Sequence, residues 1–218
     1  MNPKEYYNRL FKEGLNTVWN DAPGKKVLLS AFVDLVESRE NAIVDVGCGD
    51  GYFINEIRKC NPVADYEQCY SAFDISEEAV LSAQKKYGGI AFSAMDAVSI
   101  KYGDNSFDVV LSYGVIEHIL DPLKALIEIK RILKPGGLFL TMVPSLDSYR
   151  NDRFDEGWYE DLDSNKQLQW NFRRKTWEAM FLEAGLRLFS CDDSKKYGAL
   201  KPGVFFFGLG EEFEIRIH

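Results

Sequence analysis

Apolar and polar positions change period several times along the chain, and the changes divide it into elements. Tyr6, Tyr7, Leu10 and Phe11 fall at helical spacing, as do Leu28, Leu29, Phe32, Val33 and Val36. They predict two opening helices with a turn, Asn20-Asp21-Ala22-Pro23-Gly24, between them. Residues 1–40 are read as a helical cover that packs on a sheet or lids it. From Ala42 the pattern becomes that of buried strands alternating with helices. Strands are predicted at 43–46, 70–73, 90–94, 107–112 and 138–143. Helices are expected from Tyr52 onward and over 77–87. Another starts near Pro122, carries Leu123, Leu126, Ile127, Ile129, Ile132 and Leu133, and is stopped by Lys134-Pro135-Gly136-Gly137. After a long polar and aromatic stretch, a helix over 176–185 and strands at 186–191 and 204–209 complete the chain. Such alternation predicts an α/β domain with a doubly wound, mostly parallel sheet of seven strands and helices on both faces.

Open sheets of this kind bind ligands beyond the carboxyl ends of their strands. That edge is where the chemistry-bearing residues fall. Gly47-Cys48-Gly49-Asp50-Gly51 follows the first core strand and leads into a helix, a place where a ligand can approach the main chain. The third glycine comes one residue too early for a dinucleotide fingerprint, and Asp45 beside the loop would oppose a pyrophosphate. A nucleoside with a short zwitterionic tail fits better. Asp74 ends the second strand, where a carboxylate can accept from two ribose hydroxyls, with Ser76 as the better placed helix cap. Asp96, between Met95 and Ala97 after the third strand, is read as the acceptor for an adenine amino group.

Taken in order, Val44-Asp45-Val46-Gly47-Cys48-Gly49-Asp50-Gly51, Phe73-Asp74-Ile75-Ser76, Met95-Asp96-Ala97, Phe107-Asp108-Val109-Val110, Gly114-Val115-Ile116-Glu117-His118-Ile119 and Leu133-Lys134-Pro135-Gly136-Gly137 resemble the class I S-adenosylmethionine-dependent methyltransferases. The likeness is nearest to the small-molecule methyltransferase domains. It is strong over 41–143 and weaker beyond. The resemblance implies S-adenosyl-L-methionine as cofactor. Asp45, Gly47, Cys48, Gly49 and Gly51 would hold the methionine end, Asp74 and Ile75 the ribose, and Met95, Asp96 and Ala97 the adenine. Ser112, Tyr113 and Gly114 would pass beneath the sulfonium. It further implies a final hairpin whose last strand runs antiparallel.

Methyl transfer by in-line displacement needs alignment and exclusion of water more than it needs a metal, and no metal is expected. For an oxygen acceptor, His118 is the candidate proton acceptor and Tyr113 an alternative, while anchoring of the loop is the competing role for His118. The segment 144–172 is expected to be an acceptor lid without regular structure, with Tyr149, Arg150, Arg153, Trp158 and Tyr159 as candidate substrate contacts.

Composition narrows the partners. A formal charge of −8 disfavours a broad surface for nucleic acid. The four cysteines lack metal-knuckle spacing, and the opening residues lack a secretory signal. These features predict a cytoplasmic enzyme of one domain, 1–218, working on a small-molecule acceptor as a monomer or homodimer without membrane attachment. Methylation of protein or RNA, and an idle donor-binding scaffold, are the alternative readings.

Overall fold

The computed structural model describes residues 2–14, 29, 32, 42–60, 66–148, 155–160, 168–193 and 203–209. Its elements are, in chain order, α1 (Pro3–Lys12), β1 (Ile43–Val46), α2 (Tyr52–Cys60), the single turn α3 (Tyr66–Cys69), β2 (Tyr70–Asp74), α4 (Glu77–Lys86), β3 (Ala91–Ala94) and β4 (Phe107–Tyr113). They continue with a 3₁₀ turn at Ile116–His118, α5 (Pro122–Ile132), β5 (Leu133–Pro144), a second 3₁₀ turn at Leu146–Ser148, β6 (Gly157–Glu160), β7 (Leu168–Asn171), α6 (Arg174–Glu183), β8 (Arg187–Asp193) and β9 (Gly203–Leu209).

One seven-stranded sheet has the order β3-β2-β1-β4-β5-β9-β8. The strands β3, β2, β1, β4 and β5 pair in parallel, and β9 runs antiparallel to both β5 and β8. The final hairpin implied by the family likeness is therefore present. Strand order reverses at β1 and β4, which places the glycine loop after β1 and the Tyr113–His118 stretch after β4 side by side at the carboxyl edge. Alternate side chains of these strands enter two apolar clusters. One, on the face of α5 and α6, contains Val44, Val46, Val110, Ile129, Phe139 and Trp177. The other, on the face of α2 and α4, contains Ile43, Ile54, Tyr70, Ala83, Val109 and Leu140.

Local signals explain the helix boundaries. Ser76 Oγ accepts from Ala79 N at 3.2 Å and Asp121 Oδ1 from Lys124 N at 3.0 Å, so both helices begin at side-chain caps. Helix α5 ends at Ile132, and the Lys134-Pro135-Gly136-Gly137 stop is taken into the following strand as an irregularity, since Phe107 pairs Leu133 while Val109 pairs Leu138. Asp108 stabilises this crossing by accepting from Lys134 Nζ and Ala42 N, both at 2.8 Å.

Two expectations need correction. The stretch 144–172 is not structureless: a 3₁₀ turn follows β5, and β6 and β7 form an antiparallel hairpin with Trp158 opposite Trp170. Its cohesion is aromatic. Trp158, Trp170, Phe172 and Trp177 succeed one another at centroid separations of 5.3, 5.0 and 5.1 Å, which ties the hairpin to fully buried Trp177 on α6. The fifth strand also begins at Leu133 rather than Leu138. Most of the second opening helix, with the 20–24 turn, lies outside the described residues.

Candidate functional site

A cavity of about 890 Å³ opens where the sheet order reverses, a volume in the range of small-molecule sites. The ends of β1, β2, β3 and β4 form its floor, and α1 forms its roof. The glycine loop is shaped by backbone geometry. Gly47 and Cys48 both direct their N–H groups to Phe73 O, at 2.8 and 3.0 Å, which draws the loop across the end of β2. Gly47 has φ +72°, and a Cβ there would overlap the Val115 side chain. Gly49, at φ +54°, lets Phe11 of α1 come within 3.3 Å of the position a Cβ would take. Gly51 does not line the cavity; its open face is filled by Tyr87.

Asp74 lies at the meeting point of loop and helix. Its Oδ2 accepts from Gly49 N at 2.9 Å and its Oδ1 from Ser76 N at 2.8 Å. Burial pushes its carboxyl above the ordinary value, and backbone donors from Ser76 and Gly49 pull the other way. A carboxylate has about four acceptor directions, so lone pairs remain for hydroxyl donors in the cavity. Ile75, Met95, Asp96 and Ala97 line the neighbouring wall. Asp96 is exposed, and its Oδ1 caps Val98 N at 3.1 Å. This set suits an adenosine with its sugar on Asp74 and its base along Met95–Ala97. Asp45 lines the cavity from within β1, is buried, and accepts from the Tyr70 hydroxyl at 2.9 Å.

Cys48 also lines the cavity, and burial holds its thiol well above the usual range, with Asp74 and Asp45 adding to the effect. A thiol so protonated is a poor nucleophile. The described residues contain no group of three or more His, Cys, Asp or Glu placed to hold a metal ion.

The end of β4 supplies the opposite wall. Tyr113, Gly114, Val115 and His118 line it, whereas Ser112 does not. Strand alternation turns Ser112 away from Tyr113, and its fully buried Oγ has no hydrogen-bond partner among the described residues. Burial, followed by the nearby Glu117 and Tyr52, holds the Tyr113 hydroxyl well above its ordinary pKa, so it is better suited to donating a hydrogen bond than to accepting a proton. The His118 Nε2 atom lies 3.8 Å from Glu117 Oε1.

Of the acceptor candidates, only Trp158 has a described side chain, and it falls outside this cavity. Trp158 packs on Trp170, and none of the described residues from 144–172 lines the cavity. Tyr159 sits in β6, and nothing of its side chain is described; Tyr149, Arg150 and Arg153 lie outside the described residues. The roof is instead built from α1, through Tyr7, Leu10 and Phe11 among others. The sequence marks Tyr7 only by its helical spacing and Glu117 only as a member of the motif after the fourth strand. Tyr7 Oη and Glu117 Oε2 are both buried without a hydrogen-bond partner among the described residues. No local motif encodes that condition, because it depends on how α1 seats.

The chain matches the family model described as methyltransferase domain over residues 6–190. It is 33% identical over 106 residues to an uncharacterized methyltransferase of Schizosaccharomyces pombe, covering 45% of this chain and 38% of that protein. It is 30% identical over 142 residues to the demethylmenaquinone methyltransferase of Chlorobaculum tepidum, covering 65% of this chain and 55% of the relative. The chain thus spans roughly half or less of these curated relatives' length. Among solved structures, a Burkholderia thailandensis 1,6-didemethyltoxoflavin-N1-methyltransferase with bound 1,6-didemethyltoxoflavin and S-adenosylhomocysteine superposes with a TM-score of 0.70 at 17% identity, covering 96% of this chain and 87% of that one. The extent of the family match, together with a glycine loop and strand-end acids gathered at the point where the sheet order reverses, places the chain in the class I S-adenosylmethionine-dependent methyltransferase family.

Proposed function

We propose that the chain transfers the methyl group of S-adenosylmethionine to a hydroxyl of a small organic acceptor. The observation that carries this reading is one roofed cavity whose donor wall, at Asp74 and the glycine loop, faces a wall bearing Tyr113 and His118. When bound, the cofactor supplies an electrophilic methyl carbon. The chain's own residues hold the nucleoside end through Asp74 and Asp96, turn the loop through Gly47 and Gly49, and exclude water under α1. His118 takes the acceptor's proton as the new carbon–oxygen bond forms, and Tyr113 steadies the acceptor oxygen by donating a hydrogen bond. The segment 144–172 contributes acceptor contacts through Tyr149, Arg150, Arg153, Trp158 and Tyr159. The chain acts as one domain, as a monomer or homodimer, in the cytoplasm. No helix among the described residues is long and apolar enough to cross a membrane.

A small-molecule acceptor agrees with two similar proteins, a demethylmenaquinone methyltransferase and a 1,6-didemethyltoxoflavin-N1-methyltransferase. Calorimetry with S-adenosylmethionine, S-adenosylhomocysteine and NAD tests the donor side. Asp74→Ala should weaken both sulfur nucleosides by about 5- to 100-fold, the loss of one to two hydrogen bonds to a carboxylate. NAD binding in place of the methyl donor would overturn the assignment. On the acceptor side, labelled donor is incubated with 1,4-dihydroxynaphthalene, which offers hydroxyl and ring-carbon positions, and the methylated atom is read by mass spectrometry and NMR. Label on carbon alone would replace the oxygen reading.

A further inference from the structure

Two buried polar atoms flank His118 without a use in the scheme above. Glu117 is buried in the 3₁₀ turn after β4; its Oε1 lies 3.8 Å from His118 Nε2, and its Oε2 has no hydrogen-bond partner among the described residues. Tyr7 comes from the roof helix. Its ring meets the His118 imidazole at 6.0 Å and 69°, and its buried hydroxyl likewise has no partner among the described residues. A buried carboxyl oxygen and a buried phenol without partners among the described residues each cost free energy, so their placement beside one imidazole calls for a role.

We propose that Glu117 is a positioning residue for methyl transfer, joining the His118 imidazole on one oxygen to the Tyr7 hydroxyl on the other, directly or through one water, so that seating α1 over the donor fixes the proton-accepting tautomer of His118. The inference rests on the reading of His118 as the proton acceptor. An ionised Glu117 accepts from Nε2–H and leaves Nδ1 as the proton acceptor; a protonated Glu117 donates to Nε2 and leaves the proton on Nδ1, where it blocks the reaction. As the acceptor's oxygen–hydrogen bond breaks, the carbon–oxygen bond would form at the expense of the donor's carbon–sulfur bond, whose electron pair stays on the departing thioether, and the proton passes to Nδ1. The resulting imidazolium faces the Glu117 carboxylate and later releases its proton to solvent. The separation of 3.8 Å is longer than a hydrogen bond, as catalytic contacts often are before substrate closes the site.

The electrostatics agree with this placement. Burial pushes the Glu117 carboxyl up to about 8. After burial itself, Glu117 is the strongest influence raising the Tyr7 hydroxyl, ahead of Tyr6 and Asp74, and the strongest raising Tyr113. A Tyr7 hydroxyl donating to Oε2 would favour the carboxylate and bring its ionisation toward neutrality. Among the described residues, the titratable groups facing Glu117 are Tyr7 on α1, Tyr113 on β4 and His118 itself. Of the other elements packed on the turn, β7 offers Asn171, which does not titrate. On α5, Glu128 and Arg131 pair with each other, Lys124 is exposed, and Lys130 lies by Gly185; on β5, Lys134 pairs with Asp108.

The chain has only two histidines, His118 and His218, so imidazole nitrogen resonances can be assigned by His118→Asn alone. Histidine-labelled protein saturated with S-adenosylhomocysteine is titrated by NMR as wild type, Glu117→Gln and Tyr7→Phe. Wild-type His118 should carry its proton on Nε2 above pH 8.5. Glu117→Gln should lower its titration midpoint by about one pH unit or more and mix the tautomers, the loss expected when an adjacent carboxylate is removed. Tyr7→Phe, which keeps the ring, should move both readouts the same way by a smaller amount. His118 resonances unchanged by both substitutions would overturn the proposal. That failure is separate from failure of the parent reading, which would show as undiminished methyl transfer to 1,4-dihydroxynaphthalene by His118→Asn.

Discussion

The two walls of the cavity satisfy their polar groups in opposite ways. After β1 and β2, the N–H groups of Gly47, Cys48, Gly49 and Ser76 all have acceptors within the chain, and Asp74 holds two of them. After β4, Glu117 Oε2 is buried without a partner among the described residues, and Tyr7 Oη on the roof joins it. The first wall is finished before a ligand arrives, so it can present fixed acceptors to a nucleoside at little ordering cost. The second stores unmet hydrogen-bonding capacity beside the imidazole. On the proposed function, that difference separates a receptacle from a place where protons move.

The contrast breaks most visibly at Glu117. With its carboxyl raised to about 8 by burial, the folded chain keeps a proton there that the unfolded chain releases near 4.5. The folded-state pKa lies above the unfolded value, so the associated stability is full below about pH 4.5 and is lost as pH rises through 8. The slope is about 1.4 kcal/mol per pH unit, and the total approaches roughly 5 kcal/mol as an upper limit. Glu117→Gln lacks this loss. Urea unfolding at pH 5, 7 and 9 should show wild type falling progressively behind the variant as pH rises. Parallel stability curves would mean that Glu117 ionises as freely folded as unfolded, and the second wall would then resemble the first.

The finished wall breaks at Gly47. Valine there must adopt φ +72°, at a cost of about 1 to 2 kcal/mol for any L side chain, and its Cβ would also overlap Val115. S-adenosylhomocysteine affinity should fall about 100-fold, with the imidazole titration of His118 moving far less. The pair Gly47→Ala with Val115→Ala sharpens the point: it relieves the overlap but leaves the torsional cost, so affinity should recover only in part. Full recovery would assign the whole effect to the contact and none to the backbone.

The finished wall was also the legible one. Glycines at alternate positions and acids at strand ends are fixed by local sequence, and they point to the cavity because a parallel sheet brings all those ends to one edge. Ser76 as cap, the reversal of strand order and the antiparallel last strand follow the same logic or the family likeness. The β6–β7 hairpin was hidden because each strand is four residues long, and its stability comes from rings distant in sequence, down to Trp177. Ser112 misled because adjacency to Tyr113 in the chain means opposite faces in a strand. The condition of Glu117 and Tyr7 was illegible for a related reason, since a missing partner is a property of assembled surroundings and leaves no trace in spacing.

The smallest expected effect concerns the helix that touches both walls. On the donor side, Asn8 Oδ1 accepts from Ser76 Oγ at 2.9 Å; on the other, the preceding residue, Tyr7, abuts His118. Asn8→Ala removes this hydrogen bond and a longer one, of 3.5 Å, from Glu78 N, while Ser76 still caps Ala79 N, so global stability should drop by about 1 kcal/mol. The local effect should be clearer: S-adenosylhomocysteine should dissociate about 3- to 5-fold faster, and the α1 amides should exchange hydrogen sooner, because the roof is held by few contacts. Lys4→Gln supplies the control. Its pair with Glu77 is exposed on both sides and should contribute almost nothing to either measurement. If Asn8→Ala speeds dissociation and also shifts the His118 titration, α1 transmits seating on the donor wall to the imidazole wall. If dissociation quickens while His118 is unmoved, the two walls share a roof but no coupling, and Tyr7 acts on Glu117 without reference to the donor.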